Sequence, residues 1–302
     1  MSGNIDHWSK TSFDLFSKCP RAWAIAYGRK NLIAKPIATK GRSSHRLSDL
    51  VIRAGRRTLL EELDDLFNNK KWSLTYLKRR VKAHLDDQLW THRLRTDSII
   101  IEGLCAQITH RLRRLRETDL LKPLWTREPR RWAYFERITS IQIGKLNLYA
   151  APDLVMYHQH KWTLIRLRFQ SGPALPSREL EDLLMIHWAI HQGGLPDKLE
   201  DYRIRTLTWT GGQWVQGNVE VDPRSFHSAW MMLQNDMLEM NWMKRWIAAD
   251  PTLESLPLAR RERDCKGCPY QSKCPAVNGL EKAKIGQEMI QRKASKLSNE
   301  VF

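Results

Sequence analysis

The stretch APDLVMYHQHKWTLIRLRF, residues 151–169, sets two short apolar-rich runs on either side of a polar break, HQHK at 158–161. Such runs, separated by a tight polar turn, read as two strands of a sheet. Strand side chains alternate between faces, so residues two apart share one. Arg166 and Arg168 therefore fall on one face of the second strand, with Leu167 on the other.

The same texture extends outward. WAYFERI (132–138) and IQIGKLNLY (141–149) precede the hairpin as further strand-like runs. A helix, ELEDLLMIHWAIHQ (179–192), follows and is stopped by Gly193-Gly194 and Pro196. YRIRTLTWT and WVQGNVEV then flank Gly211-Gly212 as a second hairpin. Strands, then a helix, then two more strands predict an α/β (α+β) chain with a mixed central sheet flanked by helices.

Upstream the period is helical. Residues 9–29 read as one helix with Phe13, Phe16, Trp23 and Tyr27 at helical spacing, capped by Ser9 or Thr11. Helical patterning returns over 42–120 with a break near Asn68-Asn69. Its last part places Ile101, Leu104, Cys105, Ile108, Leu112 and Leu115 on one face and Arg111, Arg113, Arg114 and Arg116 on the other, a solvated face in the simplest reading. Residues 223–249 form another helix, rich in Met and Trp, whose apolar stripe reads as core and, alternatively, as a protein-docking face.

The 302 residues carry 50 Lys and Arg against 33 Asp and Glu, a formal charge of +17. That excess attracts polyanions, chiefly nucleic acid, with an acidic partner protein as the alternative. No run is long and apolar enough for a membrane span, and MSGNIDHWSK has no secretion-signal core, so a cytoplasmic location is expected. The 13 tryptophans are expected in the core.

Three of the five cysteines lie in CKGCPYQSKCP, residues 265–275. In a reducing compartment this clustering implies metal binding. Structural zinc usually takes two C-x2-C knuckles, and only one is present. A C-x2-C-x5-C run with one remote thiol better suits a 4Fe–4S cluster, with zinc as the alternative. Cys19, beside a proline in SKCPRAW, is the expected fourth ligand to Cys265, Cys268 and Cys274. Cys105 is expected to be an ordinary buried thiol.

These residues resemble the RecB-like exonucleases of the PD-(D/E)XK superfamily that carry an iron-sulfur cluster, among them the CRISPR-associated exonucleases. SFDLFSKCPRAWAIAY is similar to the family's N-terminal signature, KGRSSHRLSDL to the motif bearing a histidine (His45), and APDLVMYH to the strand bearing a metal-binding aspartate (Asp153). CKGCPYQSKCP is similar to its closing cysteine motif. The resemblance implies a restriction-endonuclease-like core whose N- and C-terminal segments are joined by the cluster. It divides the chain into a segment with the first cluster cysteine (1–40), a helical region (41–130), the core (131–222), helices with the cysteine loop (223–278) and a polar tail (279–302), interleaved in one domain.

The next family strand carries an acid, then any residue, then a lysine. Here those positions are Arg166 and Arg168. A guanidinium offers donors only and keeps its charge. At 4 Å and an effective dielectric near 20 it repels a divalent ion by roughly 8 kcal/mol. The family's glutamine-x-x-x-tyrosine helix is also replaced, with Leu184 and Trp188 at those places. Glu179, Glu181 and Asp182 could supply a substitute acid, but Arg166 would still crowd the ion. Asp153 is expected to pair with Arg166, and His45 to be a buried histidine.

The sequence thus predicts a catalytically inactive nuclease fold that binds nucleic acid, DNA more than RNA, within a larger protein assembly. Lys40, Arg42, Arg166 and Arg168 are the expected phosphate contacts. An active exonuclease using Mg or Mn and a purely protein-binding scaffold are the alternatives.

Overall fold

The computed structural model describes residues 6–28, 47–129, 131–171, 176–250, 253, 256–259, 261–265, 268, 270 and 274. In chain order the helices are α1 (Lys10–Lys18), α2 (Pro20–Trp23), α3 (Leu47–Phe67), α4 (Leu74–Thr91), α5 (Ser98–Arg116), α6 (Lys122–Thr126), α7 (Pro176–Ile190), α8 (Pro223–Ala249) and α9 (Glu262–Cys265). The strands are β1 (Asp6–Ser9), β2 (Trp132–Tyr134), β3 (Ile141–Ile143), β4 (Leu146–Tyr149), β5 (Leu154–His158), β6 (Lys161–Arg168), β7 (Tyr202–Thr210) and β8 (Gln213–Val219). The chain divides into two compact units, residues 1–8 with 45–232 and residues 9–44 with 233–302.

The first unit is a mixed α/β body. Its main sheet has the order β2-β5-β6-β7-β8, with β6 and β7 parallel and every other pair antiparallel. The parallel pair is joined through α7, because parallel neighbours need a crossover. Gln159 (φ 53°) and His160 (φ 60°) make the two-residue turn between β5 and β6 without a glycine. Arg203 braces that turn, donating to Gln159 Oε1 (3.0 Å), the His158 carbonyl (3.0 Å) and Thr163 Oγ1 (2.6 Å).

The run 141–158 does not continue as one strand. β3 and β4 leave the main sheet and form a second one, β1-β4-β3. Pro152, which has no N–H for a ladder, lies in the link between β4 and β5.

Three helices cover one face of the main sheet. Leu50, Leu59 and Leu63 of α3, Leu77, Val81 and Leu85 of α4, and Cys105, Ile108, Leu112 and Leu115 of α5 form one core with Leu154, Met156, Ile165, Leu167 and Phe169. α3 ends at Asn69, which takes a left-handed φ of 64°. α4 restarts on Ser73, whose Oγ accepts the Tyr76 N–H (3.1 Å), and α5 on Asp97, which accepts from Ile99 (2.7 Å). α7 packs against β6, β7 and β8. Thr163–Leu167 are consequently buried throughout, which makes β6 the central strand of the layers.

In the second unit the expected single helix over 9–29 is broken. Cys19 is extended (φ −157°, ψ 103°), since a residue before proline is driven out of the helical region. Its Sγ then accepts the Ala22 N–H (3.4 Å) and starts α2, which runs into a π-helical turn at Ala24–Gly28. Trp23 is buried edge-on to Phe16 and donates to Ser12 Oγ (2.8 Å), while buried Arg21 donates to the Leu256 carbonyl (2.7 Å). Leu233, Met237, Met240, Met243 and Ile247 of α8 are buried, and Leu238 and Trp242 are exposed. Among the described residues no helix is long and apolar enough to cross a membrane.

Gly217 of β8 lies opposite Thr206 of β7, and a Cβ added there would sit 2.6 Å from Thr206 Oγ1. Gly217→Ala is expected to cost about 1–3 kcal/mol by overpacking. Thermal unfolding should show the loss, and it should shrink markedly when Thr206→Ala removes the hydroxyl; equal losses in both backgrounds would refute the contact.

Candidate functional site

Asp153 sits in the link just before β5, its N–H bonded to the Ile165 carbonyl (2.9 Å) and its side chain 16 % exposed. β2 ends at Tyr134, and the turn beyond it brings Arg137 onto the aspartate. Arg137 Nε meets Oδ1 and Nη2 meets Oδ2, each at 3.0 Å, a two-pronged charge-assisted pair. Arg137 Nη2 also donates to the Leu167 carbonyl (2.7 Å), and the Leu167 N–H donates to Asp153 Oδ2 (2.7 Å). Arg166 Nη1 stands 3.5 Å from the same Oδ2. Burial alone would raise the Asp153 carboxyl, but the Arg137 charge and then Arg166 hold it well below the usual carboxylate range.

Arg166 is 1 % exposed and held by its surroundings. Nη1 donates to the Ala151 carbonyl (2.8 Å), Nη2 to the Ala150 carbonyl (3.4 Å), and Nη2 lies 3.6 Å from Glu181 Oε1. Two residues along β6, Arg168 donates to Asp182 Oδ2 (2.5 Å). Glu181 and Asp182 are both buried on α7, while Glu179 is exposed. Burial raises the Asp182 carboxyl despite the opposing Arg168 and Arg166 charges.

A fourth cation completes the cluster. The Arg56 guanidinium of α3 lies over the Phe169 ring (5.7 Å to its centre), within the field of Arg137, Asp153, Arg166 and Glu181. Its Nε is buried and has no hydrogen-bond partner. Burial, then the like charge of Arg137, lowers it to about 10.

The arrangement corrects two expectations. The fork on Asp153 comes from Arg137, with Arg166 in second place, because Arg166 is shared with Glu181 and two carbonyls. Arg166, expected to grip phosphate, is withdrawn from solvent. Arg168 is paired with Asp182 and keeps 17 % side-chain exposure. Lys40, Arg42 and His45 lie outside the described residues. Leu184 and Trp188 are fully buried, Trp188 donating to the Thr139 carbonyl (3.2 Å) with its ring edge-on to Phe135. They supply no metal-binding atoms. Nor is the arginine face of α5 bare: Arg113 and Arg114 share Glu117, Arg116 meets Glu62 (2.6 Å), and Arg111 donates to the Phe169 carbonyl.

Cys19, Cys265, Cys268 and Cys274 are all half-buried and free of disulfides, whereas Cys105 is buried in the helical core. Burial pushes the Cys265 thiol up, and the charges of Cys19, Cys268 and Cys274 push it further. The remote thiol and the three C-terminal ones therefore lie within each other's fields, which suits a set of thiolates awaiting a cation. They are not drawn together: among the described residues no group of three or more His, Cys, Asp or Glu is positioned to hold an ion. The donor set fits an iron-sulfur cluster in chemistry and neighbourhood.

Neither the known protein-family models nor the curated proteins match this sequence.

Removing Arg137 leaves Asp153 with a shared partner. Arg137→Ala is expected to cost about 2–4 kcal/mol, tempered by the 30 % exposure of that side chain. Because the folded-state value of Asp153 is depressed, its contribution is complete above about pH 4 and lost as pH falls toward that depressed value. The acid limb of a stability-against-pH curve should move to higher pH in Arg137→Ala. An unmoved acid limb would mean that Arg137 does not set the Asp153 charge.

Proposed function

We propose that this chain is a catalytically inactive nuclease-fold protein, similar to the RecB-like group, that carries a 4Fe–4S cluster and binds nucleic acid as part of a larger assembly. The observation that carries the inactive reading is the two-pronged Arg137–Asp153 pair backed by Arg166. Hydrolysis of a phosphodiester in this superfamily depends on a metal to make hydroxide and stabilise developing charge. Both oxygens of the one candidate aspartate are already given to protein donors, and a buried guanidinium occupies the partner acid's position. Glu181 and Asp182, the remaining acids, face Arg166 and Arg168.

The excess of cations over the whole chain favours a polyanionic partner, DNA before RNA, bound without base-sequence preference by its phosphates. Cys19, Cys265, Cys268 and Cys274 would hold the cluster. When bound it would close a loop spanning most of the chain, a constraint on the unfolded state of roughly 5 kcal/mol. A protein-docking role for α8 has one observation in its favour: Leu238 and Trp242 are 68 % and 58 % exposed on the same side of the helix.

Purified protein, prepared anaerobically, should contain iron and sulfide with broad visible absorbance. Incubated with labelled DNA and Mg or Mn it should retain the DNA uncut, with affinity falling steeply as salt rises. Cleavage that disappears in Asp153→Ala would overturn the inactive reading. Salt-independent binding would overturn the nucleic-acid one, and a zinc-loaded or metal-free sample the cluster.

A further inference from the structure

Beside the arginine cluster lies a cavity of about 140 Å³. Leucines of α3, Phe135 and Phe169 give it largely apolar walls, and Ile138, 74 % exposed, stands at its rim. Arg56, Arg137 and Asp153 supply its polar side. The volume is close to that of an engineered cavity of about 150 Å³ that takes benzene, so it suits one six-membered ring and not a fused pair.

The charges around the cavity do not balance. Arg137 and Arg166 share Asp153, with Glu181 beside Arg166, and Arg168 takes Asp182. Four guanidiniums thus face three carboxylates, and Arg56 is the one with no ion pair or hydrogen bond among the described residues. Glu136 also borders the cavity but is exposed. A buried guanidinium without acceptors is costly, and no contact within the fold offsets the cost. That is the pattern of a group kept for a ligand. The ligand must offer a flat apolar face to the phenylalanines, acceptor atoms on one edge for a planar donor fork, and a negative charge for the surplus cation.

We propose that this cavity receives a single pyrimidine nucleotide of a single strand, its O2 edge on the Arg56 guanidinium, its ring against Phe135 and Phe169, and its phosphate at the mouth. The inference rests on the nucleic-acid reading above and sharpens it, adding a preference for pyrimidine over purine at one position. Base-on-aromatic stacking and an arginine fork are the ordinary means by which unstacked bases are held.

The test compares the wild type with Arg56→Leu and Arg56→Lys, by calorimetric titration with 5′-CMP, 5′-AMP and inorganic phosphate, and by binding of oligo-dC and oligo-dA. CMP is expected to bind the wild type measurably more tightly than AMP or phosphate. Arg56→Leu should weaken CMP and oligo-dC by about tenfold, the worth of one good base contact, while oligo-dA changes little. Arg56→Lys, which keeps the charge and loses the fork, should recover only part. Because the guanidinium has no partner in the fold, Arg56→Leu should also melt at a higher temperature than wild type. A lower melting temperature would make Arg56 structural and overturn the proposal, as would equal CMP and AMP affinities, phosphate bound as well as CMP, or a pyrimidine preference that survives Arg56→Leu. Oligonucleotides that fail to bind while CMP still binds through Arg56 would sink the nucleic-acid function and leave the pocket standing.

Discussion

The two-pronged grip of Arg137 on Asp153 sets the character of the first unit. It joins the turn after β2 to the start of β5, and through the Leu167 N–H and carbonyl it ties both to the centre of β6. A carboxylate this enclosed stays ionised only because two guanidiniums face it. Once that charge is held there, β6 must carry its own cations inward, and α7 must bring Glu181 and Asp182 to meet them. The polar interior between the sheet and α7 follows from one acid and its partners.

Much of the fold was legible because it rests on local rules. The period-two runs, HQHK, Gly211-Gly212 and the stops after α7 mark the main sheet and its crossover. Asn68-Asn69 marks the end of α3, and the apolar face of α5 is buried from Cys105 to Leu115. Pro20 held the signal for the break at Cys19, since proline restrains the residue before it, yet the aromatic spacing on both sides suggested continuity. The separation of β3 and β4 into their own sheet was not legible, because alternation says that a strand exists and not which neighbour it takes.

The site was half legible. Alternation correctly paired Arg166 with Arg168 on one face, and Asp153 was the right acid to examine. What escaped was the choice among arginines: Arg137 looks like any polar residue at the end of WAYFERI, and only the turn after Tyr134 brings it to the aspartate. Arg56 gave no signal at all, because an arginine on a mainly apolar helix face reads as a side chain reaching for solvent. Its solitude depends on counting the charges that the fold assembles around it.

The burial of Arg166 bears on how such a chain could change over generations. Exchanging that residue for glutamate would put a new carboxylate beside Asp153 and Glu181 and turn a surplus of one cation into a deficit of one, inside packed layers with no water to screen it. Arg137 would still cover Asp153, so no ion could enter to offset the repulsion. Recovering a metal-holding pair would require two or more substitutions together, each harmful alone. Drift away from such chemistry is easy at this position, and the path back is closed to single steps.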